Sequence, residues 1–393
     1  MKTKLIGIAL FALTVAAVVY YPQLSAKPQP VNPPIAHITD SPKIDVVFVL
    51  DTTGSMSDLI QAAKEKIWSI ASTMASAQQT PEIRIGLVAY RDRTDAYVTK
   101  VVDLSDDLDS VYATLMDFEA QGGGDTPESV NKALYDAVHA MSWTDRDQAY
   151  KVIFLVGDAP PHMDYNEAKY PEIVASALEK GIVVNTIQCG DMHATIAPWT
   201  QIASLGQGNF FQVEQAGSAV AYTTPYDEEI AELSARLDDT RLYYGTEEEK
   251  ERMAAKVAAT DKLHEGASTE ARARRGVFNA SASGRLNMLG ENELVDAVTR
   301  GEVDLEEIEV SALPASIAAM APEQQQAHIE ELAEERAQLY SQIRQLSADR
   351  DGYIARKVEE AGGLVDSLDQ KLYDTVKEQA GEAGLEYDDG PAY

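Results

Sequence analysis

Cysteine is almost missing. A single residue, Cys189, stands in a chain of 393, so no disulfide can close within the chain and no thiolate-rich zinc or iron–sulfur site can be built. Histidine is scarce as well, six in all. None of the six falls in the His-Glu-x-x-His spacing that puts two imidazoles on one helix face, which argues against zinc hydrolase chemistry. Positive charge is short: 33 Lys and Arg face 64 Asp and Glu, a formal net charge of -31. A surface this negative repels phosphates, which excludes nucleic acid as a partner and favours cations and basic or mixed protein surfaces.

Long apolar runs are missing except for one. Leu5 to Tyr21, behind Lys2 and Lys4 and ahead of Leu24-Ser25-Ala26, reads as an export signal. At seventeen residues it is long for a cleaved segment and short for a comfortable span. Residues 1–26 are therefore expected to be a signal peptide or an N-terminal membrane anchor. In either case the rest is delivered outside the inner membrane: periplasmic, anchored facing the periplasm, or secreted.

What is present divides the remainder. Five prolines between residues 27 and 42 (Pro28, Pro30, Pro33, Pro34 and Pro42) favour an extended linker. From residue 43 to residue 216, short β-branched runs alternate with helical stretches, the pattern of an α/β doubly wound, mostly parallel sheet. The expected strands are Ile44 to Leu50, Ile83 to Tyr90, Tyr97 to Asp103, Lys151 to Val156, Ile182 to Gln188 and Asn209 to Val213. Only Arg91 to Ala96 separate the second from the third, too few for a crossover helix, so that pair must be antiparallel and one sheet edge mixed. Residues 217–393 turn to Glu, Ala, Arg and Gln with helical periodicity. The clearest helix, 322–360, carries Ile329, Leu332, Arg336, Leu339, Ile343, Leu346, Arg350 and Tyr353 at steps of three and four, a heptad-like seam interrupted by arginines, with Gly352 as a place to bend. The seam suits packing on neighbouring helices better than an intermolecular coiled coil. The acidic end from Glu386 to Tyr393 reads as frayed.

The chemistry gathers at strand ends. The apolar strand Ile44 to Leu50, broken only by Asp45, ends in Asp51-Thr52-Thr53-Gly54-Ser55 before the helix Asp58 to Ala77. In an open doubly wound sheet, ligands bind at the carboxyl edge of the strands. Asp51, Thr53 and Ser55 alternate, so a turn at Gly54 can aim three oxygens at one point. Gly122-Gly123-Gly124-Asp125-Thr126 precedes a helix expected from Pro127 to Met141 with Thr126 as its cap, and Asp158 follows the run Val152 to Val156. Hydroxyls with few carboxylates suit magnesium, with manganese or calcium as alternatives. Taken singly, Ser55 and Thr126 are explained as helix caps and Asp158 as a turn residue. Asp125 and His162 read as solvated or structural residues, Asp92 and Asp95 as solubilisers of the hairpin turn, and Cys189 as a small buried hydrophobe.

These motifs resemble the metal-ion-dependent adhesion site of the von Willebrand factor type A domain: Asp-x-Ser/Thr-x-Ser after the first strand, a threonine in a Gly-rich second loop, and an aspartate after the fourth strand. The resemblance runs from Lys43 to about Gln215 and is of the bacterial exported type. It implies a Rossmann-like fold in which Ser55 and Thr53 ligate the metal directly, Thr126 directly or through water, and Asp51 and Asp158 largely through water. It further implies a noncatalytic protein-binding module whose partner supplies an Asp or Glu to the cation. Two alternatives stand beside it. A haloacid-dehalogenase-like phosphatase needs a second aspartate at the position of Thr53, where a hydroxyl cannot serve as general acid. A metal-independent envelope scaffold acting through the helical half would keep its partner without any cation.

Overall fold

The computed structural model describes residues 41–123, 126–145, 149–213, 223–360 and 368–387; the expected signal or anchor and most of the proline-rich linker lie outside them. In the first part, strands and helices alternate as β1 (Lys43–Asp51), α1 (Ser57–Ala75), β2 (Glu82–Tyr90), β3 (Thr99–Ser105), α2 (Leu108–Met116), α3 (Val130–His139), β4 (Ala149–Gly157), α4 (Tyr170–Glu179), β5 (Ile182–Cys189), α5 (His193–Leu205) and β6 (Gln207–Val213). The strands form one sheet in the order β3-β2-β1-β4-β5-β6. All neighbours are parallel except β2 and β3, which run antiparallel as their short connection requires.

Burial on both faces explains the continuous apolar strands. Along β1, Ile44, Val46, Phe48 and Leu50 point into one apolar cluster with Trp68 and Met74 of α1. Val47 and Val49 point into the other, with Leu134 of α3 and Trp199 of α5. A strand covered on both faces has no polar side to alternate with, and each such side chain contributes about 1.5–3 kcal/mol of burial. Asp45, the one break in the run, is itself buried and pairs with Arg84 through two hydrogen bonds of 2.9 and 2.8 Å.

Beyond residue 223 the described chain is helical: α6 (Asp227–Asp239), α7 (Glu247–Gly266), α8 (Thr269–Asn279), α9 (Ala282–Leu289), α10 (Leu294–Thr299), α11 (Ala315–Ala318), α12 (Pro322–Glu360) and α13 (Leu368–Glu382), with a short 3₁₀ turn at Leu305–Glu307. This half packs directly on the sheet half. Arg275 of α8 is fully buried and donates to both carboxylate oxygens of Asp109 in α2, at 2.6 Å each, and to Asp238 of α6 at 2.6 and 3.0 Å. Lys256 and Thr260 of α7 reach Asp107 and Asp109. Leu372, Val376 and Ala380 of α13 join the apolar cluster of Ile44 and Phe48, while Gln379 bonds Tyr150 of β4 and Asn185 of β5.

Helix α12 runs unbroken through Gly352, with Arg350 and Ile354 buried on either side of that residue. The seam is spent inside the chain. Ile329, Leu339 and Ile343 are buried, Arg336 pairs with Glu293, and Arg350 with Asp227. The arginines that interrupt the heptad are thus half of buried ion pairs. The end of the chain also departs from expectation, since Glu386 accepts a bond from the Gln78 amide and Tyr387 bridges to Ala77. Those contacts take up the last turn expected of α1, which stops at Ala75; residues 388–393 lie outside the described part.

Candidate metal centre

Asp51 closes β1 at the carboxyl edge of the sheet and is 1% exposed. Its Oδ1 accepts from the Thr53 amide at 2.8 Å and the Thr53 hydroxyl at 2.7 Å, and its Oδ2 has no hydrogen-bond partner. Burial raises its pKa to about 7, with the charge of Asp158 adding to the rise and the Thr53 donors and the Asp158 amide opposing it. The Thr53 and Ser55 hydroxyls lie 3.2 Å apart, Thr53 buried and Ser55 exposed. A 3₁₀ turn over Gly54–Met56 places them, so Ser55 is not the cap of α1.

Loop contacts bring the second segment to the first. The Gly54 amide donates to the Gly122 carbonyl at 3.0 Å and the Gln121 amide to the Thr52 carbonyl at 3.1 Å. Two of the glycines are required there. At Gly122 φ is +78° and a Cβ would lie 2.1 Å from Asp95 Oδ1; at Gly123 φ is +71° and a Cβ would press within 3.2 Å of Thr53 Cβ. Thr126 sits exposed three residues further on. It does not cap a helix: α3 begins at Val130, because Glu128 is held in a β-bridge to Pro161, its amide bonded to the Pro160 carbonyl and its own carbonyl to the His162 amide. That bridge ties the Thr126 loop to the loop carrying Asp158. Asp158 is buried just past β4, and its carbonyl accepts from the Thr195 hydroxyl at 2.8 Å. Asp125 lies outside the described residues.

The expectation for Asp92 and Asp95 needs correction, while His162 takes the structural of the two places expected of it. Asp92 is buried and takes hydroxyl bonds from Ser129 at 2.8 Å and Tyr165 at 2.6 Å. Asp95 holds the Gly123 amide at 3.1 Å. His162 is buried, stacked on Tyr165 at 3.8 Å between ring centroids, and bonds Asp164. Of the acids in the hairpin turn, Asp95 therefore braces the glycine loop and Asp92 ties down Ser129 and Tyr165. Arg91 extends the brace, donating to the carbonyls of Thr52 and Glu119 while stacking over Tyr97. Glu128 and Arg91 carried no sequence signal beyond proximity to the motif, because their partners are 28 to 39 residues away along the chain.

This oxygen set fits a hard divalent cation. A buried carboxylate oxygen left without a donor is costly unless something positive meets it, and Asp51 Oδ2 is such an atom. Among the described residues no three His, Cys, Asp or Glu side chains come together to hold a metal by themselves. A cation here depends on the hydroxyls.

Residues 45–223 match the family model described as von Willebrand factor A domain. This part of the chain is a von Willebrand factor A domain. Among curated proteins it is similar to a putative ariadne-like RING finger protein of Acanthamoeba polyphaga mimivirus, 28% identical over 31% of the chain and 12% of that protein. It is also similar to the alpha-protein kinase vwkA of Dictyostelium discoideum, 27% identical over 30% of the chain and 19% of that protein. A third is von Willebrand factor A domain-containing protein 7 of Mus musculus, 34% identical over 31% of the chain and 12% of that protein. The chain thus spans less than a fifth of the length of these relatives. Similar solved structures include the SpRpn10 von Willebrand factor A domain, at 14% identity and TM-score 0.34 over 44% of this chain and 88% of that one. Another is proximal thread matrix protein 1 from the mussel byssus with a zinc-occupied adhesion motif, at 17% identity and TM-score 0.34 over 44% of this chain and 43% of that one.

Proposed function

We propose that the chain is an exported, noncatalytic binding protein that uses a divalent cation, magnesium in the first instance, to engage a carboxylate of a protein partner. Asp51, Thr53, Ser55, Thr126 and Asp158 would hold the cation, which when bound supplies a positive point with room for an external Asp or Glu. The observation that supports this reading best is Asp51: one carboxylate oxygen is bonded to Thr53, and the other is buried without a donor beside two hydroxyls 3.2 Å apart. Hydroxyl ligands leave much of the cation's charge unneutralised, so a partner carboxylate joins it strongly.

The protein's own surplus of negative charge disfavours a generally acidic partner. A basic or mixed surface presenting one carboxylate suits it, while the helical half braces the domain. The test is affinity capture from an envelope extract with the whole chain, with magnesium, with chelator, and with Ser55→Ala. The reading expects one prominent protein lost on chelation and in the variant. Capture that survives both supports the metal-independent scaffold instead.

A further inference from the structure

A cavity of about 520 Å³ lies where the helical half meets the amino-terminal end of β2, the opposite end of that strand from Tyr90, which pairs with Asp51. Its walls come from β2, α7, α9, α10 and the turn after α10, so the packing of the two halves creates it. Its volume is that of a small-ligand site.

Seven carboxylates and two guanidiniums line it. Both guanidiniums are engaged within the chain: Arg84 donates to Asp45, to the Ser142 carbonyl and to Thr144, and Arg300 pairs with Asp296 at 2.7 Å and Glu302 at 3.1 Å. The field stays negative even so. Burial pushes the Asp296 carboxyl above the ordinary aspartate value despite Arg300, with Glu293 and Glu302 adding to the rise.

Two features define the guest. The carboxylates are dispersed, since among the described residues no three His, Cys, Asp or Glu side chains come together to hold a metal. An organic cation that reaches several acids fits better than a bare ion, and Leu286, Leu289 and Ala297 supply apolar wall for the aliphatic stem of a Lys or Arg. The second feature is Asn287, also in the wall. It is 8% exposed and its Nδ2 has no hydrogen-bond partner. A buried amide N–H calls for an acceptor. An ammonium or guanidinium carries none, whereas a peptide carbonyl does.

We propose that this cavity binds a basic peptide segment of a protein partner, a Lys or Arg side chain lying along the apolar wall with its charge among the carboxylates and a main-chain carbonyl accepting from Asn287. The site is at the other edge of the sheet from the metal centre and requires no cation there.

The test is isothermal titration of the whole chain, in chelator so that the outcome is independent of the metal reading, with the blocked peptide acetyl-Ala-Lys-Ala-Lys-Ala-amide. The expected result is a Kd below ~1 mM at low salt, weakening as salt is added, and no binding of the same peptide with both lysines acetylated. Asn287→Leu keeps the size and removes the amide; it is expected to weaken the peptide about 2–10-fold while leaving stability to denaturant unchanged or higher. A merely structural Asn287 would leave the Kd alone. If that variant does not fold, Asp106→Asn, at an exposed acid of the lining, is read instead and is expected to weaken binding about 2–5-fold. An unchanged Kd in whichever variant is read, binding of the acetylated peptide, or no binding at ~1 mM overturns the proposal. Pentane-1,5-diamine, with two ammonium groups and no carbonyl, is expected to bind more weakly than the peptide; equal or tighter binding assigns the cavity to free amines and overturns the peptide.

Discussion

Replacing Arg275 with methionine tests how the helical half is joined to the domain. The guanidinium is fully buried and bonds Asp109, Asp238 and Ser234. Removing it strands Asp109 with only Thr260 and Lys256 nearby, while Asp238 retains His264 and Arg241. Breaking a buried pair from one side typically costs about 3–5 kcal/mol. For a unit of roughly 350 residues, at about 2.1 cal/mol/K of unfolding entropy per residue, that is a fall of about 4–7 °C in melting temperature. The pH dependence adds a sharper check. Although burial opposes it, Arg275 holds the Asp109 carboxyl well below the ordinary aspartate range. That stabilisation is complete above the unfolded value near 4 and is lost as pH falls through the depressed native value. In Arg275→Met the Asp109 carboxyl loses its cation and burial raises it, so the variant recovers relative to the unsubstituted protein on acidification. Thermal melts of both proteins at pH 7 and pH 3.5 should show the larger gap at pH 7. A gap of under 2 °C at pH 7, or one that does not shrink at pH 3.5, would refute the assignment of Asp109 and Arg275 as a charged pair joining the two halves.

Further outcomes follow from single positions. Gly122→Ala is expected to lose about 1–2 kcal/mol from the left-handed backbone alone, with more from the collision with Asp95, as read by chemical denaturation. Truncation after Gly384 removes buried Leu385 and Tyr387 and the Glu386 contact to Gln78, and should cost roughly 3–5 kcal/mol by the same assay. Arg336→Met leaves Glu293 buried without its cation, held only by the Leu242 and Asp296 amides, and should destabilise the chain by about 3–5 kcal/mol, whereas the exposed pair Arg252–Glu291 should tolerate Arg252→Met within about 1 kcal/mol.

How far the sequence could be read depended on the range of each interaction. β1 was legible because its apolar run needs no partner to be recognised, and the antiparallel edge because a six-residue connection admits no crossover. Asp51, Thr53 and Ser55 stood out because one turn holds all three. The start of α3 was misread: Pro127 looks like a first helical residue, but Glu128 is pulled into a bridge with Pro161, 33 residues on. Asp92 and Asp95 looked like solvated turn acids because a turn that packs against a glycine loop has no local mark. The helical half was legible as helices and no further. Arg275 finds Asp109 across 166 residues and Gln379 finds Asn185 across 194, and no periodicity encodes pairings of that span. The arginines of α12 were visible as breaks in a heptad; only the fold supplies Glu293 and Asp227.

The most direct measurement is magnesium titrated into the whole chain by calorimetry, beside Ser55→Ala and Asp158→Ala. The account predicts one site per chain in the unsubstituted protein, lost in both variants, with a chelator-sensitive rise in melting temperature worth about 2.7 kcal/mol at a hundredfold excess over Kd. No heat of binding in the unsubstituted protein, or binding that both variants retain, would contradict it.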